Sequence, residues 1–141
     1  MTRQSRIRSS RIHVVAGLLL ATLLAAPAVW GQGQSGTWTK KGFDIAGTWS
    51  IVDDGGQLFV VLDGKFRTKK APDLKIFLSP TQANQLGNRN ATKGSLKIAQ
   101  LDSHQGAQRY PIPAGTDLSK YRSILIHCEK YTKLWGVADL R

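Results

Sequence analysis

Gln57-Leu58-Phe59-Val60-Val61-Leu62 is entered through Asp53-Asp54-Gly55-Gly56 and left through Asp63-Gly64. The apolar run is too short for a buried helix, and turn residues bound it on both sides. It reads as a buried strand. Asp-Gly and Gly-Gly supply the positive φ that tight hairpins need. The segments around it follow the same period of two. Asp73-Leu74-Lys75-Ile76-Phe77-Leu78 alternates, as does Ser95-Leu96-Lys97-Ile98-Ala99, and Arg122-Ser123-Ile124-Leu125-Ile126-His127-Cys128 is the longest candidate. Thr48-Trp49-Ser50-Ile51-Val52, Gln108-Arg109-Tyr110-Pro111-Ile112 and Leu134-Trp135-Gly136-Val137-Ala138 give weaker versions. No window of a dozen residues sustains helical periodicity. Only Ser79 to Leu86 and Asp117 to Tyr121 could hold a short helical turn. The reading is all-β: an antiparallel β-sandwich or barrel of about seven to eight strands. Both architectures bury one face of each strand, so the pattern leaves that choice open.

Two stretches interrupt the patterning. Ser35 to Lys41 is polar, and residues 32–41 read as a flexible lead into a β domain at 42–141. Gly87 to Gly94 is rich in Gly and Asn and reads as an exposed loop. Upstream, Arg3, Arg6, Arg8 and Arg11 precede an apolar run from Ile12 to Val29, with small residues after it. A basic segment, a short apolar segment and small residues predict a secretory signal at 1–31, cut near Ala28 or Gly31. The alternative is an uncleaved membrane anchor, for which the run is short of the about 20 residues a span needs. Export to the periplasm or outside the cell is the expectation. No Cys follows the run, so a lipoprotein anchor is excluded.

The chain of 141 residues carries a net charge of +11, and residues 32–141 keep 16 basic against 9 acidic groups. Many of those charges alternate with apolar residues, as on the solvated faces of strands. A basic surface attracts anionic lipid, polysaccharide or acidic protein. Nucleic acid is not expected for an exported domain. The single Cys closes no intramolecular disulfide and excludes C-x-x-C zinc, redox and haem-attachment motifs. Conventional catalytic equipment is sparse. Glu129 is the one Glu, the Asp residues sit mostly in turn contexts, and no G-x-S-x-G, H-E-x-x-H or P-loop occurs. No enzyme active site and no metal site are expected. His104, within Asp102-Ser103-His104-Gln105-Gly106, reads as a surface loop residue.

Cys128 carries the sharper reading. Alternation places Ile124, Ile126 and Cys128 on one face of their strand, with Leu125 and His127 on the other. Cys is commonly a small buried apolar residue. A lone thiol in an oxidising compartment is also a liability unless shielded or used. It could serve as a redox thiol or as a soft thiolate ligand to haem iron. Because neighbouring strand residues face opposite ways, His127 and Cys128 do not easily share one iron.

Four blocks in order carry a family resemblance. Ala71-Pro72-Asp73-Leu74-Lys75-Ile76-Phe77-Leu78-Ser79 resembles the Pro-Asp-Leu segment of the electron-transfer DM-thirteen domain. Gly106-Ala107-Gln108-Arg109-Tyr110-Pro111-Ile112-Pro113 is similar to its Gly-x-Gln-x-Tyr block. Asp117 to Tyr121, leading into Ser123 to Cys128, resembles the block holding its hallmark Cys, and Gly136 to Leu140 its terminal block. The resemblance spans about Gly42 to Leu140. It implies an all-β exported domain, often beside DOMON domains, acting in electron transfer through the Cys as a free thiol or as a ligand of a group such as haem. The position before that Cys is often Trp in the family, and here it is His127. The expected function is an exported electron-transfer component with a redox partner, centred on Cys128. A binding or adhesion module for an anionic partner or glycan, using Trp38, Trp49 or Trp135, is the alternative. Of these, Trp49 and Trp135 read as core and Trp38 as exposed.

Overall fold

Among the described residues eleven strands form, seven where the period of two predicts them and four as short additional pieces. The computed structural model describes residues 33–141; the expected signal at 1–31, with its cleavage sites, lies outside the described residues. In chain order the strands are β1 (Ser35–Thr37), β2 (Thr39–Lys40), β3 (Ile45–Ala46), β4 (Thr48–Asp54), β5 (Gln57–Leu62), β6 (Arg67–Thr68), β7 (Leu74–Ser79), β8 (Leu96–Gln100), β9 (Gln108–Pro111), β10 (Ser123–Cys128) and β11 (Lys133–Asp139). The seven predicted strands correspond to β4, β5, β7, β8, β9, β10 and β11. The additional β1, β2, β3 and β6 are two or three residues long, too short to display an alternation.

All pairings are antiparallel. One sheet runs β1-β4-β5-β9, a second β2-β11-β10-β7-β8, and β3 pairs with β6 in a small third. The sheets keep separate edges, so the fold is sandwich-like and not a closed barrel. At the β4–β5 hairpin Asp54 faces Gln57, and Gly55 and Gly56 form the two-residue loop, both at positive φ. That is the geometry a primed hairpin turn demands.

The main core lies between the inner faces of the two large sheets. Trp49 and Ile51 of β4, Val60 and Leu62 of β5 and Tyr110 of β9 meet Leu74, Ile76 and Leu78 of β7 and Ile124, Ile126 and Cys128 of β10. The outer face of the larger sheet is covered as well. Phe77, Leu125, Leu134 and Val137 pack beneath Ala83, Leu86 and Ala91 of the β7–β8 connection. This explains why every residue of β10 is buried: a strand enclosed on both faces shows a continuous apolar run. The connection begins in a 3-10 turn, Ala83–Gln85, whose Ala83 N–H donates to Asp139 of β11 at 2.9 Å. A second 3-10 turn, Leu118–Lys120, starts at Asp117, whose carboxylate accepts from the Ser119 N–H at 3.0 Å. Both fall where the sequence allowed a short helical turn.

Two expectations need correction. Residues 33–41 are not a loose lead: β1 pairs with β4, β2 pairs with β11, and the N–H groups of Lys41 and Gly42 both donate to the Trp135 carbonyl at 3.0 and 3.1 Å. Trp38 is half-buried against the main core and not an exposed platform. The Gly87–Gly94 loop is largely exposed, yet Ala91 is sealed beneath it and the Asn88 Oδ1 accepts from the Leu134 N–H at 2.9 Å. Polar composition announces exposure of side chains but not the backbone bonds that tie them down. Trp49 and Trp135 are core, at 1% and 3% exposure.

Candidate functional site

Cys128 ends β10. It pairs in register with Leu74 of β7 on one side and Lys133 of β11 on the other. Opposed residues of an antiparallel pair share a face, with Cβ atoms about 4.5–5.5 Å apart. The thiol is therefore flanked on the inner face by Leu74 and by the stem of Lys133, and its exposure is 0%. The predicted alternation holds: Ile124, Ile126 and Cys128 face the main core, and Leu125 faces the opposite one.

A bulge shapes the wall beside the thiol. Between Ile126 and His127 the β10–β11 register shifts by one, so Trp135 and Gly136 together oppose Ile126. The extra residue keeps Trp135 on the inner face while Leu134 packs outward. A Cβ on Gly136 would meet Ile45 Cδ1 at 3.0 Å and Cγ2 at 3.2 Å, so a larger residue here would have to push the Ile45 side chain aside. The Trp135 indole N–H donates to Thr68 Oγ1 at 2.8 Å, which fixes the ring. The β10–β11 turn closes through Thr132, the one non-glycine described residue at positive φ, +48°. For a β-branched residue this is a strained conformation.

His127, on the outer face, is 2% exposed. Its ring meets Phe77 edge-on, with centroids 6.3 Å apart. Nε2 lies 3.4 Å from the Asn88 carbonyl, and Nδ1 is buried without a partner. Desolvation by burial holds the imidazole below its ordinary value; the Asn88 carbonyl and the carboxylates of Glu129 and Asp73 pull weakly the other way. His127 is thus a neutral ring wedged between sheet and loop, on the face away from the sulfur. Next to it on that face, Lys75 bonds to both Asp73, at 2.8 Å, and Glu129, and Lys97 reaches Glu129 at 3.1 Å. Hydrogen bonds from Lys75 hold both carboxylates below their usual range. This network ties the starts of β7 and β8 to the turn after Cys128. His104 sits in its loop half-buried, its carbonyl accepting from the Thr68 N–H at 2.8 Å.

Among the described residues no group of three or more His, Cys, Asp or Glu side chains is placed to hold a metal ion. Haem does not fit at Cys128. Its sulfur is closed over by the core, and it lines none of the clefts described here, so a flat macrocycle has no open side from which to reach it. Lys133, the β11 partner of Cys128, lines a cleft of about 350 Å³ together with Phe43, Trp135, Tyr131, Lys69 and Lys70. Sequence reading missed this cleft because its walls come from three separate segments; the pair Lys69-Lys70 was visible, but nothing along the chain joins it to Phe43 or Tyr131.

Fold and site together define a small all-β domain built around one enclosed thiol. A family model described as Electron transfer DM13 matches residues 38–140, and the chain belongs to that electron-transfer family. No curated protein and no solved structure matches it.

Proposed function

We propose that the chain is an exported, non-enzymatic electron-transfer component whose redox role is centred on Cys128 acting as a free thiol toward a redox partner. The observation that carries this is the position of the chain's one Cys: inside the family match, at the end of β10, enclosed yet only one residue from the turn that closes the hairpin. With a single thiol per chain, no internal dithiol–disulfide couple exists. Enclosure shields the thiol from overoxidation in an oxidising compartment. Its place at a strand end, beside the strained Thr132, means that local opening of the hairpin end exposes it without unfolding the core. The poor fit of haem at the closed sulfur favours the thiol over the haem-ligand reading. Export rests on the basic and apolar segments before residue 32.

The test combines spectroscopy with thiol chemistry on protein from the native exported compartment. The reading expects one thiol per chain that is alkylated by iodoacetamide while the protein remains folded, and electron exchange that Cys128→Ser abolishes with the fold intact. A folded protein whose thiol is never alkylated and which exchanges no electrons overturns it. A visible absorbance band lost in Cys128→Ser would instead restore the haem ligand. The mass of the isolated chain reports export: a product beginning near residue 29 or 32 is expected, and the full-length mass in a membrane fraction contradicts it.

A further inference from the structure

The cleft beside β11 has no part in the thiol reading. Phe43 and Trp135 form its aromatic wall, their ring centroids 4.2 Å apart and tilted by 42°. Ala71 and Pro72 add further apolar surface, and Tyr131 stands at the rim. Tyr131 is 61% exposed, one of two large apolar side chains left in water among the described residues. The strained Thr132 lies between Tyr131 and Lys133 and sets the turn that presents both. The Lys69 ammonium lies 4.9 Å from the centre of the Phe43 ring. Lys70 and Lys133 complete a cationic rim.

No carboxylate lines the cleft. Lys69, Lys70 and Lys133, like most described basic residues, have no carboxylate partner among the described residues, but these three gather round one apolar recess. An apolar recess of this size, with a few convergent groups of one sign, is the form of a small-molecule site. Its chemistry selects the occupant: aromatic and aliphatic walls take a flat apolar body, and ammonium groups take a negative charge at its edge.

We infer that this cleft binds a small aromatic anion, a carboxylate or sulfonate on a flat ring system, with the ring against Phe43 and Tyr131 and the anionic group among Lys69, Lys70 and Lys133. Both halves of the ligand are needed. A neutral ring leaves the ammonium groups without a counter-charge, and a small aliphatic anion leaves the apolar walls in water.

The test uses 2-naphthalenesulfonate as the probe and equilibrium dialysis against the full chain. Saturable binding of one probe per chain is expected, weakening as salt is raised. Replacing two rim charges together, Lys69→Gln with Lys133→Gln, should weaken it about tenfold, because charge-assisted contacts are lost. Tyr131→Ala should weaken it a few-fold. Lys93→Gln with Lys120→Gln, remote from the cleft, should leave it unchanged. These side chains are exposed or half-buried, and matching thermal melts confirm that each variant is folded. Binding of 2-naphthalenemethanol or methanesulfonate as tightly as the probe would overturn the assignment. So would equal weakening by the remote pair, no effect of the rim pair, or no saturable binding. Cys128→Ala should bind the probe normally, which separates this site from the fate of the thiol.

Discussion

Cys128 and His127 are neighbours that answer to different environments. Cys128 points into the main core, where a hydroxyl would find no partner among its apolar surroundings. Cys128→Ser should therefore destabilise the fold by about 1–3 kcal/mol, and Cys128→Ala should cost less because it adds no polar group. Chemical denaturation of the three proteins checks the order. His127 points the other way, and its pKa is lowered from an ordinary 6.5 by burial. Below that value the unfolded chain binds a proton that the folded chain resists, so stability is complete above about pH 6.5 and is lost as pH falls toward the folded value. The carboxylates of Asp73 and Glu129 are depressed below their usual range, so their contribution is complete above their ordinary values and is lost only at lower pH, as it falls from those values through the depressed folded ones. Thermal melts between pH 7 and pH 5 should show a decline that His127→Phe flattens. An unchanged decline in the variant would place its origin elsewhere.

At the level of elements, the β10–β11 hairpin organises the site through its bulge. The bulge puts Trp135 and Lys133 on the same face as Cys128 and brings Gly136 under Ile45. Gly136→Val should cost about 1–3 kcal/mol, since extra methyl groups are forced against β3. Shortening the opposing chain with Ile45→Val should recover part of that cost. A non-additive double-mutant cycle is the expected result, because the two side chains compete for one space. Circular dichroism during urea unfolding measures it. The period-two pattern located β10 and β11 to within one residue at each end but did not reveal the bulge. An extra residue in one strand changes which residues oppose each other without changing composition, and only the partner strand makes it visible. For the same reason the Gly87–Gly94 loop read as merely exposed: its bond to β11 is accepted by the Asn88 side chain from a backbone N–H, which a sequence does not label.

Across the whole molecule, the two large sheets are both edged by the segment that precedes residue 42. Gln34 accepts from the Ile51 N–H at 2.7 Å through its carbonyl and from the Arg141 N–H at 2.9 Å through its side chain. A chain beginning at Gly42 would lose β1, β2 and these bonds. At about 1 kcal/mol for each backbone bond, the loss amounts to several kcal/mol, and the melting temperature should drop accordingly against a chain beginning at Gly33. Equal melting of the two would show the segment to be dispensable. The sequence by itself determined the all-β class, seven of the strands, the opposed faces of Cys128 and His127, and the resemblance to the electron-transfer family. These depend on local alternation, turn chemistry and ordered motifs, all written along one stretch of chain. Sandwich rather than barrel, the pairing of β1 and β2, the closure of the core over Cys128 and the lysine-rimmed cleft were decided only in the tertiary structure. Each depends on which edges meet and which distant side chains share a space, and residues as far apart as Phe43 and Tyr131 acquire a common surface only when the sheets pack.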